Sequence, residues 1–265
     1  MGLDHRLEET FVDQQRLSTT QFGARASQYL TSPVHATGAD LERLAVLASE
    51  VKPARALDVG CGAGHAGFAL VRGGAQRVTA YDPSSSMLAL VAQEAAARGA
   101  AAIDTCVGPA EALPFENGTF DLVVTRYSAH HWAHVPRALA ECARVTAPGG
   151  RLVAIDVIAP ETPLLDTSLQ VLEFLRDASH VRNYRVSEWA AMQKGAGFAE
   201  PAVTRWKLSL DFKSWIARIG TPPARVAALQ SVFADLPSEV REYFQIGPDH
   251  SFVSDSAWME AVKPG

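Results

Sequence analysis

Three clusters of residues in this chain have types and spacings that could do chemistry. The first is Ala-Leu-Asp-Val-Gly-Cys-Gly-Ala-Gly-His-Ala at 56–66, where a short apolar strand from Ala56 to Val59, interrupted by Asp58, runs into Gly60, Gly62 and Gly64. Missing side chains allow a tight turn there and let backbone N–H groups approach a ligand closely, as in nucleotide-binding turns. The second is Asp82, which ends a strand from Arg77 to Tyr81. It lies at the rough ~20-residue spacing at which an acidic residue meets a ribose in βαβ folds, and a carboxylate can accept from both ribose hydroxyls. The third is Arg126-Tyr127-Ser128-Ala129-His130-His131-Trp132, in which two histidines and aromatic rings follow another strand. A histidine with its ordinary pKa of about 6.5 suits proton transfer at neutral pH.

Glycine spacing alone leaves the ligand open. The dinucleotide pattern G-x-G-x-x-G fails when counted from Gly60, because position 65 is His65, but Gly62, Gly64 and Gly67 satisfy it. A nicotinamide-dependent oxidoreductase is therefore one alternative, and a noncatalytic ligand-binding protein of the same fold is another. Asp58 separates them from a third reading. A carboxylate at the strand's exit would repel a pyrophosphate but could face a ligand carrying cationic groups, and S-adenosylmethionine is such a ligand.

Two later blocks support that reading: Leu113-Pro114-Phe115 followed by Phe120-Asp121-Leu122-Val123-Val124, and Arg144-Val145-Thr146-Ala147-Pro148-Gly149-Gly150-Arg151-Leu152. With them the chain resembles the class I S-adenosylmethionine-dependent methyltransferases, and among these the ubiquinone/menaquinone C-methyltransferase-like (UbiE-like) group. Arg126 to Trp132 and Arg176-Asp177-Ala178-Ser179-His180-Val181-Arg182 resemble a bacterial YafE/YcgJ-like branch of it. The resemblance covers most of the chain. It implies SN2 transfer of a methyl group from S-adenosylmethionine to a small, partly apolar acceptor at carbon or oxygen, with S-adenosylhomocysteine as product and no metal.

It also implies roles for particular residues. Asp58, Gly60, Gly62 and Gly64 would hold the methionine part and ribose, with Asp82 on the ribose hydroxyls and Arg126 at the same cavity. Met87 would face adenine, or else simply pack its helix. In Gly108-Pro109-Ala110-Glu111, a segment expected to line adenine, Pro109 stands where an acidic residue is frequent; Glu111 or a backbone carbonyl could substitute, and Ala110 could donate its N–H. His131 is the preferred base and His130 the second choice, since adjacent side chains in a loop seldom point the same way; the alternative is a structural hydrogen bond for either. Tyr29, Tyr127 and Trp132 would border the acceptor. Asp177, His180 and Arg182 read as a polar substrate patch or as a salt bridge fastening a cap, and they are too few for a metal site. Trp215, with Arg218, would close the pocket or anchor packing.

Positioning these groups is the work of an alternating pattern. Strands and helices alternate from about residue 40 to 158, with helical faces at Leu41, Leu44, Ala45 and Ala48, at Met87, Leu88, Val91, Ala92 and Ala95, and at Val135, Ala138, Leu139 and Cys142. Strands are expected at Ala102 to Val107, Asp121 to Thr125 and Arg151 to Val157, the last entered through a turn at Pro148-Gly149-Gly150. Such alternation predicts a doubly wound, mostly parallel sheet with helices on both faces. Beyond residue 160 the pattern predicts a helix around Leu165 to Leu175, another from a serine cap at Ser187 to Lys194, and a strand from Val203 to Phe212. A helical insertion follows from Lys213 to Gln245, broken by Pro222-Pro223 and Pro237, and then a last strand from Ser256 to Val262. By resemblance the fold is Rossmann-like α/β, a seven-stranded mostly parallel sheet with an antiparallel last strand. The helices of 160–197 and 213–245 would cap it, and a lid from 10–38 would carry Phe22 and Tyr29. The whole chain, 1–265, reads as one domain.

Bulk properties narrow the partners. With 265 residues, 28.4 kDa and 48% hydrophobic residues, the chain can bury a sizeable core. A net charge of -5 and a pI near 5.9 speak against a surface that tracks nucleic-acid phosphates, and there is no Asn/Asp-Pro-Pro-aromatic motif. No apolar run approaches the roughly 18 residues of a membrane span, and the N-terminus lacks a signal-like apolar core. Cys61, Cys106 and Cys142 have no metal spacing and read as reduced thiols of a cytoplasmic protein. A small-molecule acceptor and a monomer or homodimer are expected.

Overall fold

The computed structural model describes residues 13–23 and 36–265. Tyr29 and the Phe22 side chain, both expected in the lid, lie outside the described residues.

Seven strands form: β1 (Ala56–Val59), β2 (Val78–Asp82), β3 (Ile103–Val107), β4 (Phe120–Arg126), β5 (Thr146–Ile158), β6 (Ala202–Leu210) and β7 (Phe252–Val262). Their order across the sheet is β3-β2-β1-β4-β5-β7-β6. Only β7 runs against its neighbours, pairing antiparallel with β5 on one side and β6 on the other. The helices between them are α1 (Gln14–Gly23), α2 (Ala39–Val51), α3 (His65–Arg72), α4 (Ser85–Arg98), α5 (Val135–Val145), α6 (Pro163–Arg176), α7 (Val186–Gly195), α8 (Phe212–Ile219), α9 (Pro223–Asp235) and α10 (Ser238–Tyr243).

Because successive strand side chains point to opposite faces, the buried strands build two cores. Leu57, Val59, Val123, Leu152 and Ala154 pack with Val135, Leu139 and Trp189 on one face. Ala56, Leu122, Val124, Val153 and Ile155 pack with Leu41, Leu44, Ala66 and Leu70 on the other. Beyond the carboxyl ends of β4 and β5, the cap has a core of its own, in which Leu165, Leu169 and Leu172 of α6 meet Trp215, Leu229, Phe233 and Phe252.

Three boundaries differ from the sequence pattern. Pro148-Gly149-Gly150 does not precede β5, as expected, but bends within it: β5 pairs with β4 already at Thr146, and the register shifts between Phe120 and Leu122. Gly149 takes up the bend at φ +77° while its N–H reaches the Lys263 carbonyl. β7 starts at Phe252, earlier than Ser256, because its backbone ladder with β6 already begins where Phe252 faces Leu210, and Asp255 is held across the sheet by the Lys207 ammonium at 3.1 Å. Ser187 does not cap α7. Arg185 holds that place, with its N–H donating to Glu188 Oε2 at 2.9 Å, while the Ser187 hydroxyl donates to Glu161.

Candidate active site

The carboxyl ends of β1, β2 and β4 open into one cavity, with an empty space of about 800 Å³ including its mouth. Such strand ends, where the sheet order reverses, are where open α/β sheets hold ligands. Its floor is the glycine turn. Gly60, Gly62 and Gly64 all adopt positive φ, at +69°, +50° and +82°, conformations that side chains other than glycine's rarely take. Each glycine has its own further reason. A Cβ on Gly60 would collide with the Ser128 side chain of the histidine loop, whereas a Cβ on Gly62 would meet nothing within 4 Å. A Cβ on Gly64 would press on Val91 and Phe68, so this glycine serves helix packing at the start of α3.

Two carboxylates stand on that floor. Asp82 Oδ2 accepts the Gly62 N–H at 2.9 Å and Oδ1 accepts the Ser84 N–H at 2.8 Å, which fixes the carboxylate at the end of β2. Asp58 Oδ2 accepts the Gly67 N–H at 2.8 Å. Burial pushes the Asp58 carboxyl up to about 7, against the Gly67 bond, and the charge of Asp82 adds to the rise. Burial likewise raises Asp82 above its ordinary value, opposed by its bonds to Ser84 and Gly62. Met87 lines the same cavity, and Ser18 and Thr19 of α1 close it from above.

An adjoining cleft runs past Gly108, Pro109, Ala110 and Glu111 to Trp132 and His134. Ala110 is buried, and the Glu111 carboxylate is turned to the His134 N–H at 3.1 Å. The Tyr81 hydroxyl lies 3.1 Å from the Pro109 carbonyl, so the loop with the unexpected proline is held from beneath.

The opposite wall is the loop after β4. Arg126 pairs with Asp40 of α2 at 2.5 Å, both side chains being buried, and its guanidinium lies 4.7 Å from the centre of the Tyr127 ring. Tyr127 itself has φ +49°. Trp132 Nε1 donates to Ser128 Oγ at 3.1 Å. Arg126, Tyr127, Ser128, His131 and Trp132 all line the main cavity.

The two histidines diverge. His131 borders both the main cavity and the adjoining cleft, and its Nδ1 lies 3.0 Å from the Ser179 carbonyl. His130 turns inward, with Nδ1 2.6 Å from Asp156 Oδ1, and its ring centre is 4.2 Å from that of His131. Burial disfavours a charge on His130, but the adjacent Asp156 carboxylate, through its charge and its hydrogen bond, overrides that and raises the pKa. Burial and then the charge of His130 lower His131 to about 4, well away from its ordinary value. Asp177 is buried and takes both the N–H and the hydroxyl of Ser179, at 2.8 and 2.7 Å. His180 Nε2 lies 3.1 Å from Gln170 Oε1, and burial, then the charges of His130 and His131, pull its pKa far down.

The remaining expected residues lie elsewhere. Arg182 pairs with Asp166 at 2.8 Å and Glu188 at 3.6 Å, joining α6 to α7. Trp215, 1% exposed, belongs to the cap's core and is not among the residues lining the cavity. Sequence reasoning missed the roles of Asp156, Ser179, Asp40 and Gln14, whose amide donates to the Ser179 carbonyl at 2.5 Å and to the His131 carbonyl at 3.2 Å and so ties α1 to the histidine loop. The signal for Asp156 was present, as a lone acid inside the apolar run Leu152 to Ile158; the others carry none, because they meet the site only through tertiary contacts. Among the described residues no cluster of His, Cys, Asp or Glu could hold a metal ion, and no helix is long and apolar enough to cross a membrane.

Comparison with known proteins gives a consistent picture. The methyltransferase domain family matches residues 57–154, from the glycine turn to β5. The uncharacterized protein YafE of Escherichia coli is 46% identical over 186 residues, covering 70% of this chain and 90% of YafE. The uncharacterized methyltransferase YcgJ of Bacillus subtilis is 34% identical over 249 residues, covering 92% of this chain and 98% of YcgJ. The crystal structure of YcgJ superposes with a TM-score of 0.79 at 32% identity, over 84% of this chain and 98% of the YcgJ chain. A ubiquinone/menaquinone biosynthesis C-methyltransferase, UbiE of Methylobacterium nodulans, is 38% identical over 128 residues, covering 48% of this chain and 51% of that enzyme.

Proposed function

The chain belongs to the class I methyltransferases, in the YafE/YcgJ-like branch of their UbiE-like group, and we propose that it methylates a small, partly apolar molecule at carbon or oxygen with S-adenosylmethionine as the donor. The observation that carries the cofactor assignment is the Asp82 carboxylate, held by Gly62 and Ser84 at the exit of β2 and facing the cavity. Each of its oxygens takes one backbone N–H, which leaves each a further lone pair for a ribose hydroxyl. The open space at Gly62 lets a ligand approach the turn, and Asp58 places a second acid where a cationic methionine portion would lie. A dinucleotide's pyrophosphate would be repelled by Asp58, so a nicotinamide cofactor fits less well.

When bound, S-adenosylmethionine supplies an electrophilic methyl group on a sulfonium sulfur. The residues of this chain do the rest: Asp58 and Asp82 bind and orient, Met87 offers an apolar wall, and α1 limits access of water. His131, at the junction of the two clefts, is positioned to take a proton from an acceptor, and placing that acceptor in line supplies much of the acceleration. Titration calorimetry with S-adenosylhomocysteine and with NAD tests the assignment. Binding of the former alone supports it, and binding of NAD alone would overturn it; consumption of the donor with any acceptor would exclude a noncatalytic role.

A further inference from the structure

We propose that Asp156 and Asp177 are positioning residues that give the adjacent histidines different states: Asp156 holds His130 as a charged ring behind the cavity, while Asp177, acting through Ser179, fixes the tautomer of His131, so that its neutral ring bears the lone pair on Nε2. This division rests on the reading of His131 as the cavity's proton acceptor.

The hydrogen-bond partners decide the tautomer. A carbonyl oxygen only accepts, so the 3.0 Å contact between His131 Nδ1 and the Ser179 carbonyl places a hydrogen on Nδ1. The Ser179 hydroxyl, 3.3 Å from the same nitrogen, gives its own hydrogen to Asp177 Oδ1 at 2.7 Å, so towards His131 it too can only accept. Asp177 Oδ1 also takes the Ser179 N–H at 2.8 Å, which locks the loop that carries this carbonyl. A neutral His131 in this setting has its lone pair on Nε2. The other carboxylate oxygen, Asp177 Oδ2, is buried without a hydrogen-bond partner among the described residues.

His130 is fixed in the same way by a stronger partner. Its Nδ1 meets Asp156 Oδ1 at 2.6 Å, an oxygen that also accepts the Val157 N–H at 2.9 Å, and a carboxylate is an acceptor only. With ring centres 4.2 Å apart, a second proton on one ring opposes a second proton on the other. The ring bonded directly to a carboxylate keeps it. The other charged or titratable groups facing the cluster come from α6 and the loop after it: Glu173 is paired with Arg176 at 3.3 Å, Arg182 is paired with Asp166, and His180 is held by Gln170. Asp156 from β5 is thus the carboxylate bonded directly to His130.

Nitrogen NMR of the full chain labelled at its histidines reads these states without any acceptor or methyl transfer. At pH 7 the expected spectrum shows His131 with hydrogen on Nδ1 and lone pair on Nε2, and His130 protonated on both nitrogens. In Asp156→Asn the carboxylate that holds the second proton is gone, and His130 becomes neutral at pH 7, with hydrogen on one ring nitrogen only. Asp156→Glu restores the second proton, and Asp177→Ala admits the Nε2–H tautomer of His131. A wild-type spectrum with His131 in the Nε2–H tautomer would overturn the proposal, as would a His130 that stays protonated on both nitrogens in folded Asp156→Asn. Calorimetry with S-adenosylhomocysteine separates the two levels: if the wild-type chain fails to bind it, the functional reading falls, whereas the ring states are read independently.

Discussion

The glycine turn and the histidine loop face each other across one cavity, yet they hold their polar groups by opposite means. In the turn, Asp82 and Asp58 are fixed by backbone N–H groups of Gly62, Ser84 and Gly67, all within about a helix-and-strand's length of chain. In the loop, the charged and titratable side chains are held from afar: Arg126 by Asp40, His130 by Asp156, His131 by Ser179. A locally closed scaffold suits the part of a ligand that never changes, because its geometry survives substitutions elsewhere. A wall assembled from α2, β5 and the cap can be re-tuned by altering any one contributor, which suits the half that selects and activates an acceptor. The electrostatics differ too: burial leaves both acids of the turn with raised pKa values, while in the loop burial and a neighbouring charge keep His131 neutral.

Substitutions can break this contrast in order of expected effect. His131→Ala should lower turnover by roughly 10²- to 10⁴-fold and leave affinity for S-adenosylhomocysteine nearly intact. Because His131 titrates at about 4, the acid limb it contributes should lie near that pH, not between 6 and 7. Steady-state rates across pH check both points, and a fall in cofactor affinity equal to the fall in rate would erase the division between the two walls. Gly62→Val forces a branched side chain into φ +50°, a strain of about 1 to 3 kcal/mol, and fills the open space above the turn. Cofactor affinity should drop by about a hundredfold or more while far-UV circular dichroism stays unchanged. Asp82→Ala removes a charge-assisted acceptor worth roughly 1.5 to 3 kcal/mol, so calorimetry should show about tenfold weaker binding or worse.

The smallest effect is the one that sharpens the contrast most. Asp58 has a folded-state pKa of about 7 against an ordinary value of 3.8, so it favours the folded state at low pH and that contribution is lost as pH rises through 7. A cationic ligand prefers the ionised form, so affinity for S-adenosylmethionine should rise several-fold as pH passes upward through 7, with proton release visible in buffers of different ionisation enthalpy. Asp58→Asn should flatten that dependence and, at pH 8, raise the melting temperature even as it weakens binding. A variant that loses both stability and affinity would mean that the carboxylate serves the fold and not the ligand.

Much of the glycine-turn wall was legible in the sequence, because its determinants are contiguous: a buried strand, positive-φ glycines, and Asp82 ending the next strand. The doubly wound, mostly parallel core was also implied by alternation, since β-strands joined by helices have few ways to pack. The histidine loop was legible in its residue types but not in its roles. Nothing in His130-His131 says which ring faces the cavity; Asp156 and Ser179 settle that from β5 and from the loop after α6. Trp215 and Arg182 show the same limit from the other side. An aromatic ring and a cation in a cap segment suit a pocket wall as well as a core or a salt bridge, and the packing of α8 against Phe252 and Phe233 draws Trp215 into the cap's core.

By itself, then, the sequence determined the period of each element, the places where only glycine suits the backbone, and the acids at the strand ends, all of them consequences of bonding within a short stretch of chain. Tertiary structure alone decided which histidine lines the cavity, which nitrogen of it bears the hydrogen, and which cap residues stay in the core. Those depend on the burial and charge of groups tens of residues away, and such groups become neighbours only once the sheet, the cap and α1 have come together.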